Sequence, residues 1–490
     1  MTAPLNDDVI GAELDAGRLD ATVPTWNARR PLRIALIGDF GDGNGGGALS
    51  ARRPRRIDFD TFDDVIAQAD LRVDVALPDG KTVALSITAL DDLHPDELLR
   101  QFPRGSATPD ALRAVMMHPE LRRLESAWRG VDLVVRELGP GAALEVHLFD
   151  LGAEALAADL EGAGDLAQTA LYAWLVQRPS EDADGGYAAI ACLHDHDATP
   201  ADLARLARLA RIAAHAGAPL FTAMSTDALA DRRHPPEKPV RAAFAALQAR
   251  PEAGFLCLAG PRFQLRHVYG RATDRIAAFD FEEFDPRLGL RSMCWGHPAL
   301  VALLAWHRGG DLMLRDRPLH VVRDADGDQV ALPCTDRLIR ADMAVTLRDY
   351  GVQALMAARN EPALRVLGLA AVDGTALSRT GPKPVLKTGV DTAQADAQGA
   401  TQRTDQGLAP QGATSPSPES SPEAAEGGAL GTDDALEALL DRLHAESAAG
   451  DASAVDADTS ATPSEEPAPA AAEDEDEMDA ELAALLKSLE

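Results

Sequence analysis

Ala188-Ala189-Ile190-Ala191-Cys192-Leu193-His194-Asp195-His196-Asp197-Ala198-Thr199-Pro200-Ala201-Asp202 changes character twice. Its first six residues are continuously apolar, the pattern of a strand buried on both faces. Thr199-Pro200-Ala201-Asp202 then combines an N-cap, a first-turn proline and a favourably placed acid, which opens a helix. That helix carries Leu203, Leu206, Ala210 and Ala213 on one face up to Ala216, with Arg205, Arg208 and Arg211 elsewhere. Leu220-Phe221-Thr222-Ala223-Met224 supplies the next strand. Strands alternating with helices predict an α/β (mixed α+β) body.

Working toward the N-terminus, Leu144 to Leu151 reads as a strand and Ala111 to Leu138 as one helix. In the helix Leu112, Val115, Met116, Leu121, Leu124, Trp128 and Val131 recur at helical spacing. Pro103 to Pro109 marks a break before it. Leu71 to Leu77 alternates, Pro78-Asp79-Gly80 turns, and Thr82 to Ile87 returns, which is a β-hairpin. Thr61 to Ile66 opens a short helix, with Asp58 or Asp60 as its cap. Pro31 to Asp39 is a β-branched and apolar strand ended by a glycine-rich turn over Gly41 to Ser50. Residues 1–30 read as a flexible arm.

The chain has 490 residues, 46% hydrophobic and only 4% aromatic, so Leu, Val, Ile and Ala must fill its core. Its net charge of −31 opposes sequence-independent nucleic-acid binding and adsorption to an anionic membrane face. No apolar run approaches the length of a membrane helix, and no secretory signal is visible at the N-terminus. Cys192, Cys257, Cys294 and Cys334 are widely spaced with no CxxC pair, as expected of buried thiols in the cytoplasm. From Asp391 onward about 24 acidic and three basic residues give a local net charge near −21. Beyond about Arg379 the composition turns to Ala, Pro, Ser, Gly, Asp and Glu. Such a segment cannot bury enough apolar surface to offset chain entropy, so residues 379–490 are expected to form a disordered acidic tail. Two islands, at about 433–447 and 478–490, read LxALLxxL. Leu436, Leu439, Leu440 and Leu443 form one leucine stripe, and Leu482, Leu485, Leu486 and Leu489 form the other. Short helices of this kind are marginal alone and suit docking in a partner groove.

Ordered motifs then point to a family. Arg33 to Phe40, Arg52 to Phe62 and Leu90 to Asp96 resemble the N-terminal half of TssB, the small sheath subunit of the bacterial type VI secretion system. Met117-His118-Pro119-Glu120-Leu121-Arg122-Arg123-Leu124-Glu125-Ser126-Ala127-Trp128-Arg129-Gly130 resembles a signature of TssC, the large subunit. Pro261 to Gly270, Phe279 to Glu283 and Trp295 to Ala299 resemble three further TssC blocks in the right order. The resemblance implies a TssB-like sheath segment at 31–104 fused to a TssC-like sheath domain at 105–378. Trp128, Arg129, Gly130, Arg266, Tyr269, Gly270, Glu282, Glu283 and Trp295 carry the family motif. Beside the family pattern, the long TssB helical region and the C-terminal TssC domain are expected to be missing, with the acidic tail in their place. Ala438 to Glu446 also resembles the TssC helix gripped by the ClpV unfoldase.

Other readings are open at several places. The glycine-rich loop after the first strand lacks the Gly-Lys-Ser/Thr ending of a phosphate-binding loop. His194-Asp195-His196-Asp197 is the best metal-like cluster, but adjacent side chains on an extended loop diverge, and no metal or other cofactor is expected. Arg52, Arg53, Arg55 and Arg56 form a basic cluster, better matched to acidic protein surfaces, the tail included, than to nucleic acid. Trp128 belongs to a helical core stripe. One of Glu282 and Glu283 is expected to pair with Arg266 or Arg262, and two adjacent carboxylates on one strand would face opposite ways. No GxSxG or HExxH is present.

These readings converge on a non-enzymatic sheath-like component of a type VI secretion system. It would be an assembly or docking protein for sheath or baseplate subunits, with a partner-recruiting tail. The alternative is a cytoplasmic regulator or adaptor that sequesters sheath subunits or recruits a ClpV-like AAA+ unfoldase. Neither reading includes membrane insertion.

Overall fold

The chain was analysed as a computed structural model, which describes residues 14–19, 21, 32–41, 49–139, 144–181, 185–230, 233–323 and 329–377. Most of the glycine-rich loop and the whole acidic tail, with its two leucine stripes, lie outside the described residues.

In chain order the strands are β1 (Leu32–Gly38), β2 (Arg55–Ile57), β3 (Leu71–Ala76), β4 (Thr82–Ile87), β5 (Leu144–Asp150), β6 (Ala189–Cys192), β7 (Leu220–Ala223), β8 (Leu256–Gly260), β9 (Phe263–Gln264), β10 (Trp295–Gly296), β11 (Leu312–Leu314), β12 (His320–Arg323), β13 (Gln329–Leu332), β14 (Val352–Ala354), β15 (Met356–Ala357) and β16 (Leu364–Val366). The α-helices are α1 (Phe62–Ala69), α2 (Pro95–Arg100), α3 (Pro109–Met116), α4 (Pro119–Leu138), α5 (Ala153–Gly162), α6 (Ala170–Tyr172), α7 (Arg178–Glu181), α8 (Pro200–Ala216), α9 (Lys238–Gln248), α10 (Pro298–His307) and α11 (Ala341–Asp349).

A seven-stranded sheet in the order β14-β8-β7-β6-β1-β5-β2 organises the body. Every pairing in it is parallel except that of β2 with β5. Parallel strands are covered on both faces, so they must be apolar throughout; β6, β7 and β8 accordingly have every residue buried. Side chains alternate across the sheet. Ile34, Leu36, Ala189, Ala191 and Phe221 face one core with α1, α3, α4 and α10. Ala35, Ile37, Ile190, Cys192 and Leu220 face the other, with α5, α8, α9 and α11.

Strand β1 lies between β5 and β6, Ile34 aligning with both Val146 and Ala189. The predicted two-part division therefore does not give two separate sheets: the N-terminal segment supplies a central strand to the sheet of the segment that follows. The β3–β4 hairpin is as expected, with Val73 opposite Leu85, and its buried face joins the same core.

Three local expectations are corrected. The helix predicted over Ala111 to Leu138 is two helices, because Pro119 has no backbone N–H and pushes His118 into an extended conformation, ψ 126°. The cap of α1 is Thr61, not Asp58 or Asp60; Asp58 closes the preceding turn by accepting from Thr61 N at 3.0 Å. Nor is the N-terminal arm loose throughout. Ala16 and Leu19 are buried, Leu166 N donates to Arg18 O at 2.8 Å, and Asp15 pairs with Arg208.

Helix α10, Pro-Ala-Leu-Val-Ala-Leu-Leu-Ala-Trp-His, is apolar all round, which marks a fully enclosed helix. Helix α4 crosses close over it: a Cβ placed on Gly130 would lie 2.6 Å from Leu300 Cδ1. No described helix is long and apolar enough to cross a membrane.

Candidate functional site

The sequence motifs meet in a buried cluster of charges between α4 and the loop segment that follows β9. Arg122, Glu125 and Arg129 stand on one face of α4, three and four residues apart. Arg266 reaches across to them. Its Nε donates to Glu125 Oε1 at 2.6 Å and its Nη1 to Glu283 Oε2 at 2.7 Å. Arg122 Nη2 donates to Glu283 Oε1 at 2.7 Å, and Arg129 Nε to Glu125 Oε1 at 2.8 Å. Glu283 also accepts from the Tyr269 backbone N–H at 2.9 Å, and the Arg266 guanidinium lies 4.4 Å from the Tyr269 ring centroid.

Glu283 is fully buried and Glu125 nearly so. Burial alone would raise both pKa values. For Glu125 the fields of Arg266, Arg129 and Arg122 overcome burial and hold the carboxyl well below the usual range. For Glu283 the fields of Arg266 and Arg122 likewise outweigh burial and lower the pKa. Both carboxylates stay ionised and saturated with donors, so the cluster acts as a charged pin joining chain segments about 150 positions apart.

The remaining motif residues pack around this pin or lie apart from it. The Trp128 indole N–H donates to Phe40 O at 3.2 Å, with its ring packed against Phe40 and Phe62, so its predicted core role holds. The Trp295 indole N–H donates to Leu290 O at 2.8 Å, and its carbonyl accepts from Ser126 Oγ at 2.6 Å. Gly270 leaves room for Glu282, where a Cβ would run into Oε2. Glu282 is exposed and accepts from Arg271 N at 3.1 Å, apart from the cluster. The two glutamates thus diverge as expected, although residues 281–285 form loop and not strand. Of the two arginines proposed for one of these glutamates, Arg266 pairs with Glu283, whereas Arg262 pairs with Asp336 at 2.7 Å. Arg122 and Glu125 were not singled out in sequence, although their spacing with Arg129 inside the α4 motif was the available signal.

The His194 to Asp197 loop is arranged differently. His194 and His196 turn inward and are buried, while Asp195 is exposed. Burial, followed by neighbouring positive charge, brings the His194 pKa down to about 4; burial does the same for His196. Asp195 and Asp197 line a cleft of about 190 Å³ at the ends of β7 and β8 with Thr226, Asp227, Arg262 and Asp336. Among the described residues no cluster of His, Cys, Asp and Glu is placed to hold a metal ion. All four cysteines are buried, and burial pushes the Cys192, Cys257 and Cys294 thiols up to about 12.

The VipB family, described as EvpB/VC_A0108, tail sheath N-terminal domain, matches residues 107–372, more than half of the chain. The chain belongs to the VipB tail sheath family. A second match, to the type VI secretion system VipA family, covers residues 27–124. The VipB and VipA families correspond to TssC and TssB, so both halves of the resemblance hold. The pin at Glu125, Arg266 and Glu283 lies wholly within the VipB match, while β1 and the β3–β4 hairpin fall within the VipA match. A search of curated proteins found no match.

Proposed function

We propose that the chain is a non-enzymatic component of a type VI secretion sheath that works by docking onto other sheath or baseplate subunits. The observation that carries this reading is the interleaving of the two family-matched regions. Strand β1, from the VipA match, is hydrogen-bonded between β5 and β6 of the VipB match. Surfaces contributed by both sheath families are thereby held in one fixed frame, the requirement for presenting a composite contact face. The saturation of Glu125 and Glu283 by guanidinium groups supports a structural rather than a catalytic use of the site. In this reading the tail leucines recruit a partner, two copies on one tether raising effective concentration.

The test is co-expression of the full chain with the small and large sheath subunits, followed by affinity purification and negative-stain microscopy. Association with sheath or baseplate subunits, without cylinders formed by this chain alone, is expected. Failure to co-purify with any of them rejects the docking role, and long unaided cylinders reject the accessory role.

A second reading is a cytoplasmic regulator that sequesters sheath subunits or recruits a ClpV-like AAA+ unfoldase. The paired LxALLxxL stripes favour it. Suppression of sheath assembly in the same micrographs, instead of decoration, would select it.

A further inference from the structure

The loops that follow β6, β7 and β8 meet in the cleft of about 190 Å³ at the carboxyl ends of these parallel strands. Ligand crevices of α/β sheets form at that end. Gly260 lets two of the strand ends close up, since a Cβ there would lie 2.7 Å from Met224 O. Of the carboxylates in the cleft, Asp336 pairs with Arg262 at 2.7 Å and Asp227 with Arg337 at 2.8 Å. Asp195 and Asp197 pair with no arginine or lysine among the described residues. Asp195 lies 3.6 Å from the His297 ring, and burial lowers the His297 pKa, leaving that ring neutral at pH 7. Burial, then the charges of Asp202, Asp195 and Asp227, raises the Asp197 pKa, so the negative field here is uncompensated. His194 and His196 turn inward while Asp195 and Asp197 are exposed. That alternation sets both carboxylates on one side of the chain, with about 7 Å between their Cα atoms. Thr226 is an independent sign of a ligand. It is 4% exposed and lines the cleft. Its carbonyl accepts from Leu229 N and Ala230 N, whereas its hydroxyl has no hydrogen-bond partner among the described residues. An unpartnered hydroxyl on so buried a residue, with the cleft as its outlet, is an acceptor held ready for an N–H donor.

We propose that this cleft binds a guanidinium group, the Asp195 and Asp197 carboxylates and the Thr226 hydroxyl accepting its N–H donors. A guanidinium presents its donors in a planar fork that can serve two carboxylates at once, which a compact ammonium cannot do. A metal ion does not suit the cleft, because among the described residues no group of His, Cys, Asp and Glu is placed to hold one. The guanidinium can belong to a free small molecule or to an arginine side chain of another protein, and the recognition is the same. The inference does not depend on the sheath reading.

The experiment follows the isotope-labelled methyl group of Met224, which lines the cleft, by NMR of the full chain, its signal assigned by its loss in Met224→Leu. The chain is titrated at low salt with agmatine and with the capped tripeptide acetyl-Gly-Arg-Gly-amide. A saturable shift of the Met224 signal is expected, and the matching citrulline tripeptide, which has no charge, gives none. The lysine tripeptide binds about tenfold more weakly than the arginine one. Asp195→Asn plus Asp197→Asn, both at exposed positions, weakens guanidinium binding by about tenfold or more. Thr226→Val, checked for an unchanged melting temperature, weakens it by about fivefold. Equal binding of the arginine and agmatine probes assigns the guanidinium to a protein side chain, and exclusion of the tripeptide assigns it to a free small molecule; guanidinium recognition stands in both cases. No shift with either guanidinium probe overturns the proposal. So does a shift that survives Asp195→Asn plus Asp197→Asn, or equal binding of the arginine, lysine and citrulline tripeptides. Co-purification with sheath subunits is read separately and is unaffected by these outcomes.

Discussion

Arg266 Nε lies 2.6 Å from Glu125 Oε1, while the same guanidinium holds Glu283 Oε2 at 2.7 Å through Nη1. One side chain therefore neutralises two buried carboxylates from two distant segments. Arg266→Ala would leave both beside only Arg122 and Arg129. Breaking a buried pair from one side costs about 3–5 kcal/mol, and a loss of that size is expected in urea unfolding. Arg266→Lys should recover less than half, because an ammonium cannot serve both carboxylates with a planar fork. A loss below about 1 kcal/mol for Arg266→Ala would remove the pin from the account.

Acid should act on the body in two separate ranges. His194 and His196 are buried and neutral, with pKa values brought down to about 4, whereas an unfolded histidine titrates near 6.5. Between those values the unfolded chain binds more protons, so stability falls as pH drops from about 6.5 toward 4, by up to ~1.4 kcal/mol per pH unit per histidine. Glu125 and Glu283 act lower. Their folded pKa values are depressed, so their contribution is complete above about 4.3 and is lost as pH falls below it. His196→Gln should flatten the difference in urea midpoint between pH 6.5 and pH 5, and Glu125→Gln should leave that difference intact. If His196→Gln has no effect on this slope, the inward placement of the ring is refuted.

Gly130 and Leu300 set the separation of α4 and α10. In the middle of a helix Gly→Ala ordinarily stabilises by about 1 kcal/mol. Here the new Cβ would sit 2.6 Å from Leu300 Cδ1 in a packed core, and overpacking costs about 1–3 kcal/mol. Gly130→Ala is therefore expected to destabilise. Adding Leu300→Ala should cost less in the Gly130→Ala background than in wild type, a coupling read directly from a double-mutant cycle.

The contrast between these sites shows what local sequence could reveal. Thr199-Pro200 announced α8 because capping is a matter of four adjacent residues, and the Thr199 hydroxyl does accept from Asp202 N at 3.1 Å. The alternation of Leu71 to Leu77 announced the hairpin for the same reason. Strand β2 stayed hidden, since Arg55-Arg56-Ile57 reads as a charge cluster and is a strand only through its pairing with β5. The partner of Glu125 was equally out of reach: nothing near position 125 indicates an arginine 141 residues later. Only the family resemblance, which both stretches carry, connects them. The break between α3 and α4 was legible at Pro119 but was outweighed by an apolar period that happens to continue across it.

The leucine stripes of the tail make the functional proposal testable apart from the body. Leu436, Leu439, Leu440 and Leu443 fall at i, i+3, i+4 and i+7, as do Leu482, Leu485, Leu486 and Leu489. If each stripe docks in a groove, a single central charge is enough to abolish its contact, because an unpaired carboxylate cannot be buried among apolar side chains. Leu440→Asp or Leu486→Asp alone should weaken partner capture by the tail, leaving the other copy to act without avidity. The combined variant should lose it, with an apparent affinity lower by about 10²-fold or more. Unfolding of the body should be unchanged in all three. Capture of sheath, baseplate or ClpV-like partners at wild-type level by Leu440→Asp plus Leu486→Asp would show that recruitment runs through the folded body and not through the tail.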